Sequence, residues 1–179
     1  MHPNYLYLPG IEASTGSLGH GLSISLGMSV AGKVDKKNYR VFCMTGDGEM
    51  HEGSIWEALM AAGHFGMGNL TLIIDYNKFS GSGPIDKVMD IEPLADKLKS
   101  FKWNVVSIDG HNMSEVAEAL NSLPPVDSGK PNAIISNTKK GYLMPEEMKM
   151  FAGGHIAFIP TEEALNGILG IIDNSRKGA

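Results

Sequence analysis

The 179-residue chain has an ordinary globular composition, with 42% hydrophobic and 20% charged residues, so it is long enough to bury a hydrophobic core. Its net charge of −5, with lysines scattered along the chain, argues against nucleic acid or an anionic membrane as a partner. A single cysteine, Cys43, excludes an intrachain disulfide, and neither a signal-like segment nor a long uncharged apolar run is present. We therefore expect one domain over residues 1–179 in a reducing, cytoplasmic setting.

The chain opens with a tyrosine-rich loop and then a helical pattern. His2 and Pro3 lead directly into the loop, an abrupt start typical of a piece of a longer protein. From Ser17 to about Val34, apolar residues recur at every fourth position, which predicts a helix. Several glycines interrupt this pattern, and each costs roughly 1 kcal/mol relative to alanine inside a helix. We therefore expect another backbone or a ligand to approach this helix closely.

The next stretch, Tyr39 to Asn77, predicts a βαβ unit. Tyr39–Thr45 and Leu70–Tyr76 are apolar runs rich in strand-forming residues, and each ends at a polar turn. A helix-length segment from Glu49 to about Phe65 lies between them, as a parallel crossover requires. The carboxyl ends of the two strands should therefore meet at one edge of the sheet, where such folds bind ligands.

Asp47 and Asn77 stand at these two strand ends. The Gly46-Asp47-Gly48 turn should present free backbone N–H groups that suit a phosphate, yet the aspartate would repel it. A divalent cation between them removes this conflict, because Mg²⁺ takes hard oxygen ligands and shares them with substrate phosphates. Each residue alone is more typical of an ordinary turn or loop. Together they favour a metal and diphosphate site.

The amino-acid sequence of this unit is similar to that of transketolases over GDGEMHEGSIWEALMAAGHFGMGNLTLIIDYN. Its Gly-Asp-Gly…Asn pattern resembles the thiamine diphosphate motif. The resemblance implies that the chain binds thiamine diphosphate together with Mg²⁺, or with Ca²⁺ or Mn²⁺ in place of Mg²⁺. Asp47, Asn77 and the backbone carbonyl of Phe79 would be the metal ligands. Gly48 would contact the diphosphate, with Gly46 and Glu49 beside it, although Glu49 is equally explained as an acidic residue in a first helical turn.

The same resemblance extends to the preceding helix and to the central one. STGSLGHGL is similar to the transketolase segment that lies against the cofactor, which implies contacts from Gly16 and Leu18. His20 stands where that family usually has glutamine, and an ordinary histidine is the simpler interpretation. Glu52 and Glu57 match glutamates near the transketolase dimer axis, where buried carboxylates can share protons between active sites.

Two histidines complete the predicted catalytic set. His2 falls where the family has a histidine near the sugar substrate. His155 is the candidate for a histidine that contacts cofactor and substrate, although the residues around it depart from the family pattern and an ordinary loop histidine is an equal alternative.

The rest of the chain continues the alternation of strands and helices. The glycines and proline of residues 78–90 should prevent regular structure and leave a loop that covers the cofactor. The predicted elements after it are a helix at Ile91–Phe101, a strand at Trp103–Asp109, a helix at Ser114–Leu123 with Ser114 as N-cap, a strand at Ala133–Thr138 and a closing helix from Thr161 to about Ser175. The fold expected is an α/β three-layer sandwich, a mostly parallel sheet with helices on both faces.

The resemblance implies a transketolase-like protein that moves a two-carbon ketol unit between sugar phosphates. The family's upstream segment and its separate pyrimidine-binding domain have no counterpart in these residues. We therefore expect the chain to be inactive alone and to pair with a C-terminal transketolase-like chain that carries the pyrimidine-binding domain, as a heterotetramer or within a homodimer. The alternatives are an enzyme like 1-deoxyxylulose-5-phosphate synthase and a non-catalytic cofactor-binding fragment.

Overall fold

A computed structural model describes residues 2–142 and 161–177 of the chain. Its centre is a four-stranded parallel sheet in the order β1-β2-β6-β5. These strands are β1 (Val41–Gly46), β2 (Leu70–Tyr76), β5 (Asn104–Asp109) and β6 (Asn132–Asn137). In register, Gly46 lies beside Asp75, and Asp75 lies beside Ser136, so the carboxyl ends of β1, β2 and β6 are level with one another.

Six helices and one hairpin accompany this sheet in the described ranges. The helices are α1 (His20–Val34), α2 (Gly53–Phe65), α3 (Ile85–Val88), α4 (Leu94–Ser100), α5 (Met113–Asn121) and α6 (Glu162–Lys177). A 3-10 turn at Gly48–His51 comes before α2, and β3 (Phe79–Ser80) pairs with β4 (Gly83–Pro84) in an antiparallel hairpin. In this part of the chain no helix is long and apolar enough to cross a bilayer.

The central strands bury both of their faces, as their apolar sequences require. On one face, Leu72 of β2 and Ile135 of β6 lie in a cluster with side chains of α1, α2 and α4. On the other face, Ile73 and Ile134 contact Ala119 of α5 and its neighbours. Helices therefore cover both faces of a parallel sheet, and the predicted α/β three-layer architecture is confirmed.

The predicted helix at Glu49 is corrected in its first turn. Residues 48–51 form a 3-10 turn, and the backbone of Glu52 is extended, with φ −75° and ψ 127°, before α2 begins at Gly53. The Asp47 side chain accepts the N–H of Gly48 and so caps the start of this short turn. Glu49 consequently lies before α2 and not in its first turn.

Two further predictions are corrected. Residues 78–90 were expected to lack regular structure, but they contain the β3–β4 hairpin and α3, because Gly83 supplies the left-handed φ of 136° at the start of β4. The cap of α5 is Asn112 and not Ser114, because the Asn112 side chain accepts the N–H groups of Ser114 and Glu115. The other predicted elements occur with ends shifted by a few residues.

Candidate functional site

Asp47 is the most buried polar group at the carboxyl edge of the sheet, with 1% of its surface exposed. Its Oδ1 accepts the N–H of Gly48 at 2.7 Å, and its Oδ2 accepts the N–H of Lys78 at 2.5 Å. Burial raises the pKa of Asp47, the two N–H donors oppose this rise, and the nearby charge of Asp75 adds to it. The carboxylate is thus held in place but poorly compensated for its loss of water.

Asn77 lies directly after β2, next to the residue that binds Asp47. Its Oδ1 accepts the N–H of Phe79 at 3.0 Å, and its Nδ2 donates to Asp75 Oδ2 at 2.9 Å. Lys78, between Asn77 and Phe79, has a left-handed φ of 66°, which non-glycine residues seldom adopt. Such backbone strain occurs preferentially at functional sites. Because Asp47 accepts the N–H of Lys78, the three predicted metal-ligand residues, Asp47, Asn77 and Phe79, lie near one another at the carboxyl edge of the sheet.

The donors in this segment fit a hard divalent cation. Asp47 provides carboxylate oxygens, Asn77 an amide oxygen and Phe79 a main-chain carbonyl, and each oxygen that already accepts one N–H keeps a second lone pair. Within residues 2–142 and 161–177, no three His, Cys, Asp or Glu side chains converge on a metal-binding position. A cation at this edge would therefore depend on oxygens from its ligand, which is typical of Mg²⁺ bound with a phosphate.

The two glycines that flank Asp47 differ in their surroundings. A Cβ atom added to Gly46 would meet nothing within 4 Å, whereas one added to Gly48 would lie 3.0 Å from the Cβ of Ser80 in β3. The backbone beside Gly46 is therefore open, and the hairpin closes over Gly48. The Gly48 N–H, expected to contact a diphosphate, donates to Asp47 in this structure, so its contact with a ligand stays a prediction.

Glu49 joins the glycine-rich segment to the site. Its Oε1 accepts the N–H of Gly19 at 2.9 Å, while Ser54 Oγ donates to the carbonyl of the same Gly19 at 2.9 Å. Gly19 has a left-handed φ of 83°, and a Cβ added there would lie 2.4 Å from Ser54 Oγ. The backbone just after Leu18 is therefore clamped against the 3-10 turn and α2. Leu18 itself is 53% exposed beside this clamp.

The four predicted catalytic residues differ in their surroundings. The ring of His2 lies against Gly16, where an added Cβ would be 2.5 Å from its Cγ, so these two predicted site residues are in contact. Glu52 and Glu57 are exposed in the single chain. His155 lies outside the described residues.

The remaining described histidines contact neighbouring groups. His111 Nε2 accepts the N–H of Lys139 at 2.9 Å, and its ring stacks on that of Tyr142. His20 Nδ1 lies 3.0 Å from the carbonyl of Leu18, and His51 Nε2 lies 2.7 Å from the carbonyl of Met89. The ring of His64 is edge-on to that of Phe65.

Sequence reasoning missed Asp75 and the part played by Thr138. Thr138 Oγ1 donates to Asp75 Oδ1, so Asp75 connects Asn77 after β2 with Thr138 after β6. The main-chain carbonyl of Asp75 also accepts the N–H of Asp47 at 3.1 Å. The available signal was a carboxylate inside an otherwise apolar strand, where a charge is costly unless it has partners.

Comparison with known proteins identifies relatives of this chain. Residues 1–163 match the family described as "Transketolase, thiamine diphosphate binding domain". An apulose-4-phosphate transketolase subunit of Phocaeicola vulgatus is 41% identical over 140 residues, which cover 78% of this chain and 49% of the relative. The 6-deoxy-6-sulfo-D-fructose transketolase subunit SqwG of Clostridium sp. strain MSTE9 is 42% identical over 132 residues, with 74% and 48% covered.

Solved structures agree with these sequence matches. A transketolase from Campylobacter jejuni aligns with a TM-score of 0.72 and 25% identity, over 94% of this chain and 31% of that protein. The chain thus spans about half the length of the two relatives from Phocaeicola and Clostridium, and a smaller share of the Campylobacter enzyme.

Proposed function

Because this chain belongs to the transketolase family, through its thiamine diphosphate-binding domain, we propose that it binds thiamine diphosphate through a Mg²⁺ ion at the ends of β1 and β2. The buried carboxylate of Asp47 carries this proposal. It is 1% exposed and is bonded to the residue that follows Asn77. A buried anion that lacks a cation is unfavourable, and a bound divalent ion would offset that cost.

The residues of this chain divide the proposed work among them. Asp47, Asn77 and the Phe79 carbonyl would hold the ion, which in turn would hold the diphosphate oxygens near the open backbone of Gly46. The Glu49 carboxylate would keep the segment of Gly16 and Leu18 against the site through its bond to Gly19. When bound, thiamine diphosphate supplies the nucleophilic carbon that the reaction requires, and the protein supplies position and electrostatics.

We further propose that the chain transfers a two-carbon ketol unit between sugar phosphates only when a second polypeptide supplies a pyrimidine-binding domain. Two relatives of similar match length are named as subunits of transketolases, which supports a divided enzyme. The outer surface of α2 also supports a partner, because Met60 and Phe65 are each 56% exposed in the single chain. Glu57 lies in the same helix and Glu52 directly precedes it, and a partner there would bury both, as a proton relay requires.

His2 and His155 belong to the same proposal as substrate-facing groups. The contact of His2 with Gly16 supports His2, since Gly16 is one of the proposed cofactor contacts. For His155 the support is its place in the sequence.

The test is a reconstitution assay with xylulose 5-phosphate and ribose 5-phosphate. The purified chain should be inactive alone with thiamine diphosphate and Mg²⁺, and should gain activity when a pyrimidine-binding chain is added. Enzyme-like turnover by the chain alone would contradict the divided enzyme.

Two other results would favour the alternatives. Turnover with pyruvate and glyceraldehyde 3-phosphate, and not with the two pentose phosphates, would indicate an enzyme like 1-deoxyxylulose-5-phosphate synthase. Cofactor binding that never leads to turnover with any partner would indicate a non-catalytic module.

A further inference from the structure

We propose that Asp75 is a positioning residue that orients Asn77 toward the cation at the sheet edge. The inference rests on the proposed function, because it concerns the same Mg²⁺ site. It assigns a task to a carboxylate that lies one strand away from Asp47 and is itself held between two side chains.

The neighbours of the Asn77 amide fix its orientation. A carboxamide has a donor end and an acceptor end of nearly equal size, so its neighbours decide which end faces the ligand. An ionised carboxylate only accepts hydrogen bonds, and Asp75 Oδ2 lies 2.9 Å from Asn77 Nδ2. The donor end of Asn77 is therefore fixed on Asp75, and Oδ1 is turned to the opposite side, where it accepts the N–H of Phe79 at 3.0 Å.

Asp75 is itself held by a second side chain. Its other oxygen, Oδ1, accepts the hydroxyl of Thr138, so both oxygens are engaged and the side chain is fixed at both ends. Thr138 is itself confined, because a Cβ added to Gly110 would lie only 2.5 Å from its Cγ2. The chain of contacts therefore runs from the loop after β5, through Thr138 and Asp75, to Asn77.

Asp75 also contacts Asp47, the other proposed side-chain ligand. Its main-chain carbonyl accepts the N–H of Asp47 at 3.1 Å, so the main chain of Asp75 helps to fix the position of Asp47 at the end of β1, while its side chain orients Asn77. One residue of β2 thereby positions ligands from both sides of the site. Groups that orient metal ligands in this way commonly change metal affinity by about 10- to 100-fold when they are removed.

The test measures thiamine diphosphate binding by calorimetry over a series of Mg²⁺ concentrations. Asp75→Ala should raise the Mg²⁺ concentration required for half-maximal binding by about 10- to 100-fold. Asp75→Asn should remain within a few-fold of the wild type, because its Oδ1 can accept from Asn77 while its amide donates to the Thr138 hydroxyl. Thr138→Val should give a smaller rise than Asp75→Ala, since it removes only the outer contact.

The matched control is Asp109→Ala, which removes a carboxylate from the end of β5, where Asp109 accepts the N–H of His111 at 2.9 Å. This variant should bind with the Mg²⁺ dependence of the wild type. Melting temperatures without ligand, measured for all variants, separate a loss of stability from a loss of cation affinity.

The outcomes distinguish the two levels of the proposal. Wild-type binding that ignores Mg²⁺ would overturn the proposed site and this inference with it. Mg²⁺-dependent binding in the wild type that is unchanged in Asp75→Ala would overturn the role of Asp75 alone. If Asp75→Ala does not fold, Thr138→Val decides, and an unchanged Mg²⁺ requirement there would overturn the inference.

Discussion

Substitution of Gly19 by alanine should destabilise the protein far more than the same change at another left-handed glycine. Gly19 has φ 83°, and alanine in that conformation costs about 1 to 2 kcal/mol. A Cβ atom there would also lie 2.4 Å from Ser54 Oγ and 2.8 Å from the Cβ of Glu52. It would therefore displace the two hydrogen bonds that Gly19 makes with Glu49 and Ser54.

The magnitude follows from those two bonds. The bond to the Glu49 carboxylate contributes about 1.5 to 3 kcal/mol and the bond from the Ser54 hydroxyl about 1 kcal/mol, before partial relaxation. With the backbone term, Gly19→Ala should lower the free energy of unfolding by about 3 to 5 kcal/mol. Gly129 is the control, because its φ is 75° and an added Cβ would meet nothing within 4 Å.

Urea unfolding followed by tryptophan fluorescence measures both variants. Gly129→Ala should lose only the backbone term of about 1 to 2 kcal/mol. If the loss in Gly19→Ala is no greater than in Gly129→Ala, the clamp between the glycine-rich segment and α2 contributes nothing, and its proposed role in positioning Gly16 and Leu18 fails.

Three other predictions concern the stability of the described core. Cys43 is 6% exposed and burial raises its pKa, so the folded protein should resist thiol reagents, and its stability should fall as pH rises above the usual thiol value of about 8.5. Asn112→Ala should cost about 1 kcal/mol in urea unfolding, because it removes the acceptor for the N–H of Ser114 at the start of α5. Trp103→Phe should cost about 0.5 to 1.5 kcal/mol, because it removes the indole N–H that donates to the Leu59 carbonyl at 2.9 Å.

Each of these has a contrary result. Labelling of Cys43 at the rate of the unfolded chain would mean that the thiol is accessible. If the stability of the wild type falls no more steeply than that of Cys43→Ala above the usual thiol pKa, then ionisation of Cys43 does not contribute to the pH dependence of stability. Full retention of stability in Asn112→Ala would mean that Asn112 is not the stabilising cap of α5, and would favour the predicted Ser114. A neutral Trp103→Phe variant would mean that the indole hydrogen bond to the Leu59 carbonyl contributes nothing to stability.

The sequence was sufficient for the order of elements because the apolar runs are unambiguous. Leu70–Tyr76 is too apolar and too short for an exposed helix, and its structure is β2. The break between the 3-10 turn and α2 was not predictable in the same way. The break lies at the extended backbone of Glu52, and helical periodicity carries no information about a single extended residue.

The candidate site was likewise only partly predictable from the sequence. The placement of Asp47 and Asn77 at one edge of the sheet was predictable, because both follow strands that pair in parallel. Asp75 was missed, because its importance comes from contacts with Asn77 and with Thr138, which is 63 residues further along the chain. The role of Glu49 likewise depends on Gly19, which is 30 residues earlier. Such partners become visible only after the chain has folded.

The most direct test of the central claim is calorimetric titration of the purified chain with thiamine diphosphate, in Mg²⁺ and in excess chelator. We expect binding in Mg²⁺ that is lost or strongly weakened in chelator, and lost in both conditions for Asp47→Ala. Equal binding with and without Mg²⁺, or unchanged binding in Asp47→Ala, would contradict a cation-dependent diphosphate site at the ends of β1 and β2.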